Sequence, residues 1–69
     1  MSFSYKKLWK LLIDKDMRKK DLMKMTGITS TTMAKLGKEQ PVSMTVIGKI
    51  CGAVDCNVGD IVDYIKDDN

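Results

Sequence analysis

Two short amphipathic segments lie on either side of Gly27, and only three or four residues separate them. In both segments, about Lys19–Met25 and about Ser30–Leu36, apolar residues recur three positions apart, as on one side of a helix. A glycine at this point commonly adopts the left-handed conformation that ends a helix. The spacing therefore predicts two helices that pack across a tight turn, and the rest of the chain must cover their shared apolar side.

The same helical spacing predicts three further helices and no sheet. They span about Tyr5–Ile13, Met44–Val54 and Val58–Ile65, with Ser43 and Asn57 as caps of the last two. The residues predicted to face inward are Tyr5, Leu8, Leu11, Leu12, Leu22, Met25, Met33, Leu36, Met44, Ile47, Ile50 or Cys51, Val54, Ile61, Tyr64 and Ile65. Residues 1–69 are thus expected to form one all-α domain, a bundle of five helices.

The basic residues are concentrated in the first part of the chain. Residues 1–40 carry ten Lys or Arg and four acidic residues, whereas residues 41–69 carry two Lys and five Asp. This asymmetry is typical of a protein in which one face meets a polyanion. Charge alone leaves an equal alternative, in which the lysines are simply the solvated sides of helices.

Composition also argues against several classes of protein. No stretch approaches the ~18 apolar residues of a membrane-spanning helix, and the N-terminal residues lack the apolar core of a signal peptide. The chain has no His and two cysteines, so we expect neither a metal site nor a cofactor. Cys51 and Cys56 are expected to be small core residues of a reduced, cytoplasmic protein. With no Gly-rich phosphate loop and no nucleophile beside a base, we expect no enzymatic activity.

Four consecutive hydroxyl residues, Thr29–Thr32, begin the helix that follows the turn. Thr29 is placed to cap it, and short side chains allow the start of a helix to approach another surface closely. Lys35 lies on the same side as Thr31, four residues later. In a helix-turn-helix, here about residues 18–36, such a helix enters the major groove of DNA and reads base edges. By itself, the hydroxyl block favours a capped helix with nothing bound to it.

The wider pattern reverses that preference. "KKDLMKMTGITSTTMAKLGK" followed by "PVSMTVIGKICGAVDCNVGDIVDYI" resembles the Cro and phage-repressor type of helix-turn-helix regulator, the XRE group, and especially its small single-domain members. The resemblance covers about residues 5–65. Its specific positions are Leu22, Gly27, Ile28, Met33, Leu36, Ser43, Ile50, Val54 and Gly59–Ile61. It implies a five-helix fold of the lambda-repressor-like DNA-binding type.

The resemblance also implies which residues contact DNA. Contacts with bases fall to Ser30, Thr31 and Lys35. Contacts with phosphates fall to Arg18, Lys19, Thr29, Thr32 and Lys38. Arg18 departs from the pattern because relatives have a Ser or Thr cap there, which predicts a weaker cap for the second helix. Met23 in place of Ala predicts a slightly wider angle between the two helices.

The function that follows is sequence-specific binding of double-stranded DNA by a transcriptional regulator, most simply a repressor that acts as a homodimer. Trp9, Tyr64 and Ile65 are candidates for the dimer surface, although the sequence favours, for each of them, a role in completing the core. An alternative is an antitoxin-like or protein-interaction module of the same fold, with a protein partner. Binding to a membrane surface through the basic first helix is disfavoured, because the core is expected to use that helix's apolar side.

Overall fold

The computed structural model describes residues 2–66, which form four α-helices and a small antiparallel sheet. In chain order the elements are β1 (Ser2–Ser4), α1 (Lys6–Asp14), α2 (Lys19–Thr26), α3 (Ser30–Gly37), α4 (Met44–Val54), a 3₁₀ turn (Val58–Asp60) and β2 (Asp63–Ile65). The first four predicted helices are confirmed, each within one residue at either end. In this part of the chain no helix has the length and apolar character needed to cross a bilayer.

Every helix contributes a fully buried side chain to one core. Leu8 of α1, Leu22 of α2, Leu36 of α3 and Ile50 of α4 are completely covered, and Ile61 after the 3₁₀ turn joins them. Burying one such side chain stabilises a fold by about 1.5–3 kcal/mol. The helices are each too short to be stable alone, so this shared burial holds them in place.

Tyr5 connects the beginning of the chain to the loop between α3 and α4. Its ring is buried, and its hydroxyl donates a hydrogen bond of 2.8 Å to the carbonyl oxygen of Gln40. Burial raises the pKa of this phenol above its usual value of 10.0, so the hydroxyl keeps its proton at neutral pH. The polar end of a buried aromatic residue is therefore satisfied, and it fixes where the loop after α3 runs.

The predicted hydroxyl caps are confirmed at two helices. The amide of Thr32 donates to the Thr29 hydroxyl at 3.2 Å, and the amide of Val46 donates to the Ser43 hydroxyl at 3.2 Å. Each bond satisfies an amide that the first turn of a helix leaves without a backbone partner. These two caps explain why α3 and α4 begin where the sequence predicts.

The predicted fifth helix is wrong, and with it the all-α, five-helix description of the fold. After one 3₁₀ turn the chain extends as β2, which pairs antiparallel with β1, so that Ser2 faces Ile65 and Ser4 faces Asp63. The cap predicted for this helix does form in part, because the amide of Asn57 donates to the Asp60 carboxylate at 2.8 Å. It starts a single turn rather than a helix.

Contacts that are distant in sequence explain this difference. Phe3 of β1 and Tyr64 of β2 meet edge to face, with ring centroids 6.0 Å apart. The Lys7 ammonium also lies 3.0 Å from the Asp63 carboxylate and donates to the Gly59 carbonyl oxygen at 3.1 Å. A helix of eight residues is marginal alone, whereas β-branched and aromatic residues fit a strand once a partner strand is present.

Several residues predicted to face inward lie at the surface instead. Met25, Met44, Tyr64 and Ile65 are all exposed, and Met44 is the most exposed of them at 67%. The two methionines lie in the last turn of α2 and the first turn of α4. At the position left open between Ile50 and Cys51, Ile50 is the buried residue.

Both cysteines are free thiols that lie half-buried against the core. Burial, and after it contact with the Cys51 thiol, raises the pKa of the Cys56 thiol to about 11. Such a thiol is almost entirely protonated at neutral pH and a poor nucleophile. The predicted role as small packing residues is confirmed in this partly covered form.

Candidate nucleic-acid interface

Helices α2 and α3 are joined by three residues, Gly27–Thr29, in the predicted helix-turn-helix. Gly27 ends α2 with a φ of 74°, a left-handed conformation that residues with a side chain rarely adopt. Ile28 is buried in the middle of the turn, and its amide donates to the Thr26 hydroxyl at 3.3 Å. Burial of Ile28 thus attaches the turn to the core, and the left-handed backbone of Gly27 sets its direction. Together they determine the orientation of α3 relative to α2.

Helix α3 has one side against the core and the other in solvent. Met33 and Leu36 are buried, whereas the three residues predicted to contact bases are exposed. Thr31 and Lys35 stand four residues apart on this exposed side, so they are neighbours on the helix surface. The structure therefore brings Ser30, Thr31 and Lys35 together on a polar surface that other parts of residues 2–66 leave open.

Thr29 and Thr32 form a closed pair at the start of α3. Besides accepting the Thr32 amide, the Thr29 hydroxyl donates its proton to the Thr32 hydroxyl oxygen at 3.2 Å. A hydroxyl has one proton to donate. The Thr29 proton is therefore committed within the helix, and the Thr32 hydroxyl is the one of the two that can donate to a phosphate.

The start of α2 carries three exposed basic residues in succession, Arg18, Lys19 and Lys20. As predicted, Arg18 provides no side-chain cap. Asp21 compensates, because its carboxylate accepts the Arg18 amide at 2.9 Å and lies in the first turn, where the helix dipole favours an anion. Asp21 thus caps the backbone at the start of α2, and the three basic residues remain exposed.

Lys19 makes a contact that the sequence analysis missed. Its ammonium lies over the ring of Trp9 in α1, 4.5 Å from the ring centroid. Trp9 is half-buried against the core, so the dimer contact predicted for it would have to share the ring with Lys19. The two residues are ten positions apart on different helices, and no periodicity in the sequence indicates that they meet.

Lys38 lies immediately after α3, exposed, at the opposite end of the helix from the hydroxyl residues. Its amide donates to the carbonyl oxygens of Ala34 and Lys35, which continues the helix by one residue. Glu39 follows with a φ of 58°, which turns the chain towards the Gln40 carbonyl held by Tyr5. The predicted contact residues thus occupy three places: the start of α2, the exposed side of α3 and its end.

Comparison with known proteins identifies the family to which this fold belongs. A family model described as the Cro/C1-type HTH DNA-binding domain matches residues 7–67. The crystal structure of the transcriptional regulator VanUg, Form II, has a TM-score of 0.92 and 47% sequence identity, over 96% of this chain and 88% of that one. No curated protein sequence matches. The fold, the turn at Gly27 and the match over residues 7–67 lead to one conclusion: this chain belongs to the family of Cro/C1-type helix-turn-helix DNA-binding domains.

Proposed function

We propose that this protein regulates transcription by binding specific sequences of double-stranded DNA through the exposed side of α3. The observation that carries the proposal is the division of α3 into a buried side, with Met33 and Leu36, and a polar side that residues 2–66 leave open. VanUg, to which the chain is similar over nearly its full length, is described as a transcriptional regulator. We expect neither catalysis nor a cofactor, and we expect the protein to act in the cytoplasm.

In the proposed complex, Ser30, Thr31 and Lys35 contact base edges in the major groove. Hydroxyl groups can donate or accept there, the Thr methyl group can press on a thymine methyl, and lysine can donate to guanine. A good pair of this kind discriminates by about 1–3 kcal/mol. Three short contacts therefore give modest specificity to a single chain.

Phosphate contacts would supply most of the affinity. Arg18, Lys19 and Lys38 provide positive charge at the start of α2 and the end of α3, and the Thr32 hydroxyl provides a donor between them. We expect Thr29 to contact a phosphate through its backbone, because its hydroxyl proton is already donated to Thr32. Each neutralised phosphate lowers the slope of log K against log salt by about 0.9 for duplex DNA. Binding should accordingly weaken steeply with salt.

We further propose that two copies bind together, on half-sites about one helical turn of DNA apart. A dimer doubles the number of base contacts and so compensates for the modest specificity of one chain. Tyr64 and Ile65 are the best candidates for the dimer contact, because β2 leaves both of them exposed. Occupation of a promoter, which excludes RNA polymerase, is the simplest output and makes the protein a repressor.

Selection of bound duplexes from a random pool tests the proposal. We expect a recovered motif, and two-fold symmetry in that motif would report the dimer. Lys35→Ala and Thr31→Ala should relax the preference at particular bases, whereas Lys19→Ala should weaken all sequences alike and flatten the salt dependence. An unchanged motif with Lys35→Ala would contradict the orientation of α3, and no duplex binding even at low salt would refute the proposal as a whole.

A second function, as an antitoxin-like or protein-interaction module, is favoured by one observation. Tyr64 and Ile65 are exposed next to Phe3, which places apolar and aromatic surface on the small sheet, away from α3 in the sequence. A protein partner could use this surface while DNA occupies α3. The test is the double variant Tyr64→Ser, Ile65→Ser. If a copurifying partner were lost but the oligomeric state of the protein, measured as its molecular mass in solution, were unchanged, this function would be preferred to the dimer contact.

A further inference from the structure

The contact between Lys19 and Trp9 joins the proposed DNA-binding surface to the core. Trp9 packs against the core from α1, and its ring lies under the Lys19 ammonium at 4.5 Å. A cation within about 6 Å of a ring centroid is attracted by the negative face of the aromatic system, and Trp attracts it most strongly. The ring thus offers the ammonium a preferred position at the start of α2.

We infer that Trp9 is a positioning residue for DNA binding: it holds the Lys19 ammonium at the start of α2, ready to contact a phosphate. This inference rests on the proposed function. A free lysine side chain must lose considerable rotamer entropy when it is fixed on a phosphate. Because the Trp9 ring already restricts the side chain before DNA arrives, part of that cost falls on folding rather than on binding.

The same ammonium can contact the ring and a phosphate at once. An ammonium group has three N–H donors and needs only one side towards the ring face. Lys19 is exposed, so the remaining donors are open to solvent and to an approaching phosphate. Trp9 is half-buried, so its ring is held in place by the core when DNA approaches. Trp9 therefore acts through Lys19 and need not touch DNA.

Lys20 provides a matched control on the next residue. It is also an exposed lysine in the first turn of α2, but consecutive helical residues point about 100° apart. It has the same charge and nearly the same distance from the helix end as Lys19. A general effect of Trp9 on the fold or on the charge of α2 would act on both lysines, whereas positioning over the ring acts on Lys19 alone.

A double-mutant cycle in DNA binding tests the inference. The variants are Trp9→Leu, Lys19→Gln and their combination, with Lys20→Gln alone and with Trp9→Leu as the second cycle. Affinity is measured by fluorescence anisotropy with a random-sequence 20-base-pair duplex at several salt concentrations. We expect Trp9→Leu to weaken binding about twofold to fivefold and to flatten the salt slope as Lys19→Gln does. It should have almost no further effect in the Lys19→Gln background, yet its full effect with Lys20→Gln.

Independent effects of Trp9→Leu and Lys19→Gln, which multiply in the double variant, would overturn the inference. So would tighter binding by Trp9→Leu, because the ring would then be withholding the lysine from DNA. If wild-type protein failed to bind the duplex at low salt, the proposed function would fail together with the inference. If wild type and Lys20→Gln bound with a normal salt slope but the first cycle showed no coupling, the inference alone would fail.

A second variant and a second measurement guard against misfolding. Trp9→Phe keeps an aromatic ring at this position, but phenylalanine attracts a cation less strongly. The affinity of Trp9→Phe for the duplex should therefore lie between those of wild type and Trp9→Leu. The protons of the Lys19 ε-methylene should show an upfield ring-current shift by NMR in wild type and lose it in Trp9→Leu. An unshifted signal in the folded wild-type protein would contradict the positioning role directly.

Discussion

The starts of α2 and α3 solve the same backbone problem with opposite chemistry. At α3, Thr29 and Thr32 are joined by two hydrogen bonds, both of which use the short, neutral hydroxyl group of Thr29. At α2, a carboxylate three residues into the helix accepts the first amide, and the neighbouring side chains are long and positive. Short side chains allow close approach to a surface, whereas long cations reach a phosphate across a gap. The two starts are thus suited to the two kinds of DNA contact that we propose.

The starts of α2 and α3 are held in place by the same core. Of the variants considered, Leu36→Ala should therefore lower the free energy of unfolding the most. Leu36 is fully buried in α3, and removing a buried leucine side chain costs about 2–5 kcal/mol. We expect most or all of the stability of a domain of this size to be lost. Urea denaturation followed by circular dichroism measures it. Lys35→Ala, one residue earlier but exposed, is the control and should change stability by less than about 0.5 kcal/mol.

Gly27→Ala tests how the turn sets α3 against α2. An added Cβ would meet open space, so the expected cost comes only from the left-handed backbone, roughly 1–2 kcal/mol. Gly48→Ala is matched, since its Cβ also meets open space but lies within α4, where alanine should stabilise by up to about 1 kcal/mol. Thermal denaturation should therefore shift in opposite directions. A shift in the same direction for both variants would contradict the role assigned to Gly27.

Thr29→Ala removes the hydroxyl cap of α3 and should cost about 1 kcal/mol. For a domain of this size, such a loss lowers the melting temperature by about 4–8 °C. The effect should be nearly independent of salt, because the cap is neutral. Thr31→Ala, two residues on and exposed, should leave the melting temperature nearly unchanged while altering base preference. Equal destabilisation by both variants would mean that Thr29 has no special capping role.

Asp21→Asn should lower the stability of the fold less than Leu36→Ala, Gly27→Ala or Thr29→Ala does. It should also strengthen DNA binding. The amide oxygen can still accept the Arg18 amide, so the variant removes only the charge, which is worth about 0.3–1 kcal/mol at a helix start. The loss should disappear at 1 M salt, unlike that of Thr29→Ala. Binding of random-sequence duplex should become tighter, because a negative charge is removed beside the proposed phosphate contacts. Weaker binding would contradict the placement of those contacts.

The helices and the turn could be predicted from the sequence because their signals are local. Leu22, Met33 and Leu36 recur at helical spacing, and Thr29 and Ser43 are hydroxyl residues at the positions where caps are needed. Gly27 marks a left-handed residue directly. Each of these features acts within about four residues, so no knowledge of the remaining chain was required. The exposed positions of Ser30, Thr31 and Lys35 follow from the same periodicity.

The C-terminal segment could not be predicted in this way. Ile61, Tyr64 and Ile65 satisfy a helical spacing, but Tyr64 faces Phe3 across the sheet, some sixty residues away in sequence. A three-residue strand has no periodicity long enough to recognise, and its hydrogen bonds depend entirely on the partner. The contact of Lys19 with Trp9 is hidden for the same reason, since it needs α1 and α2 to be packed first.

The sequence by itself determined where the chain coils, where it turns at Gly27 and which side of α3 stays polar, because capping, backbone conformation and helical periodicity act between near neighbours. Only the tertiary structure decided that β1 and β2 pair to form a sheet and that the Trp9 ring lies under the Lys19 ammonium. The physical reason is that strand pairing and cation–π contact arise between residues distant in sequence, and their energies appear only after the core has brought those residues together.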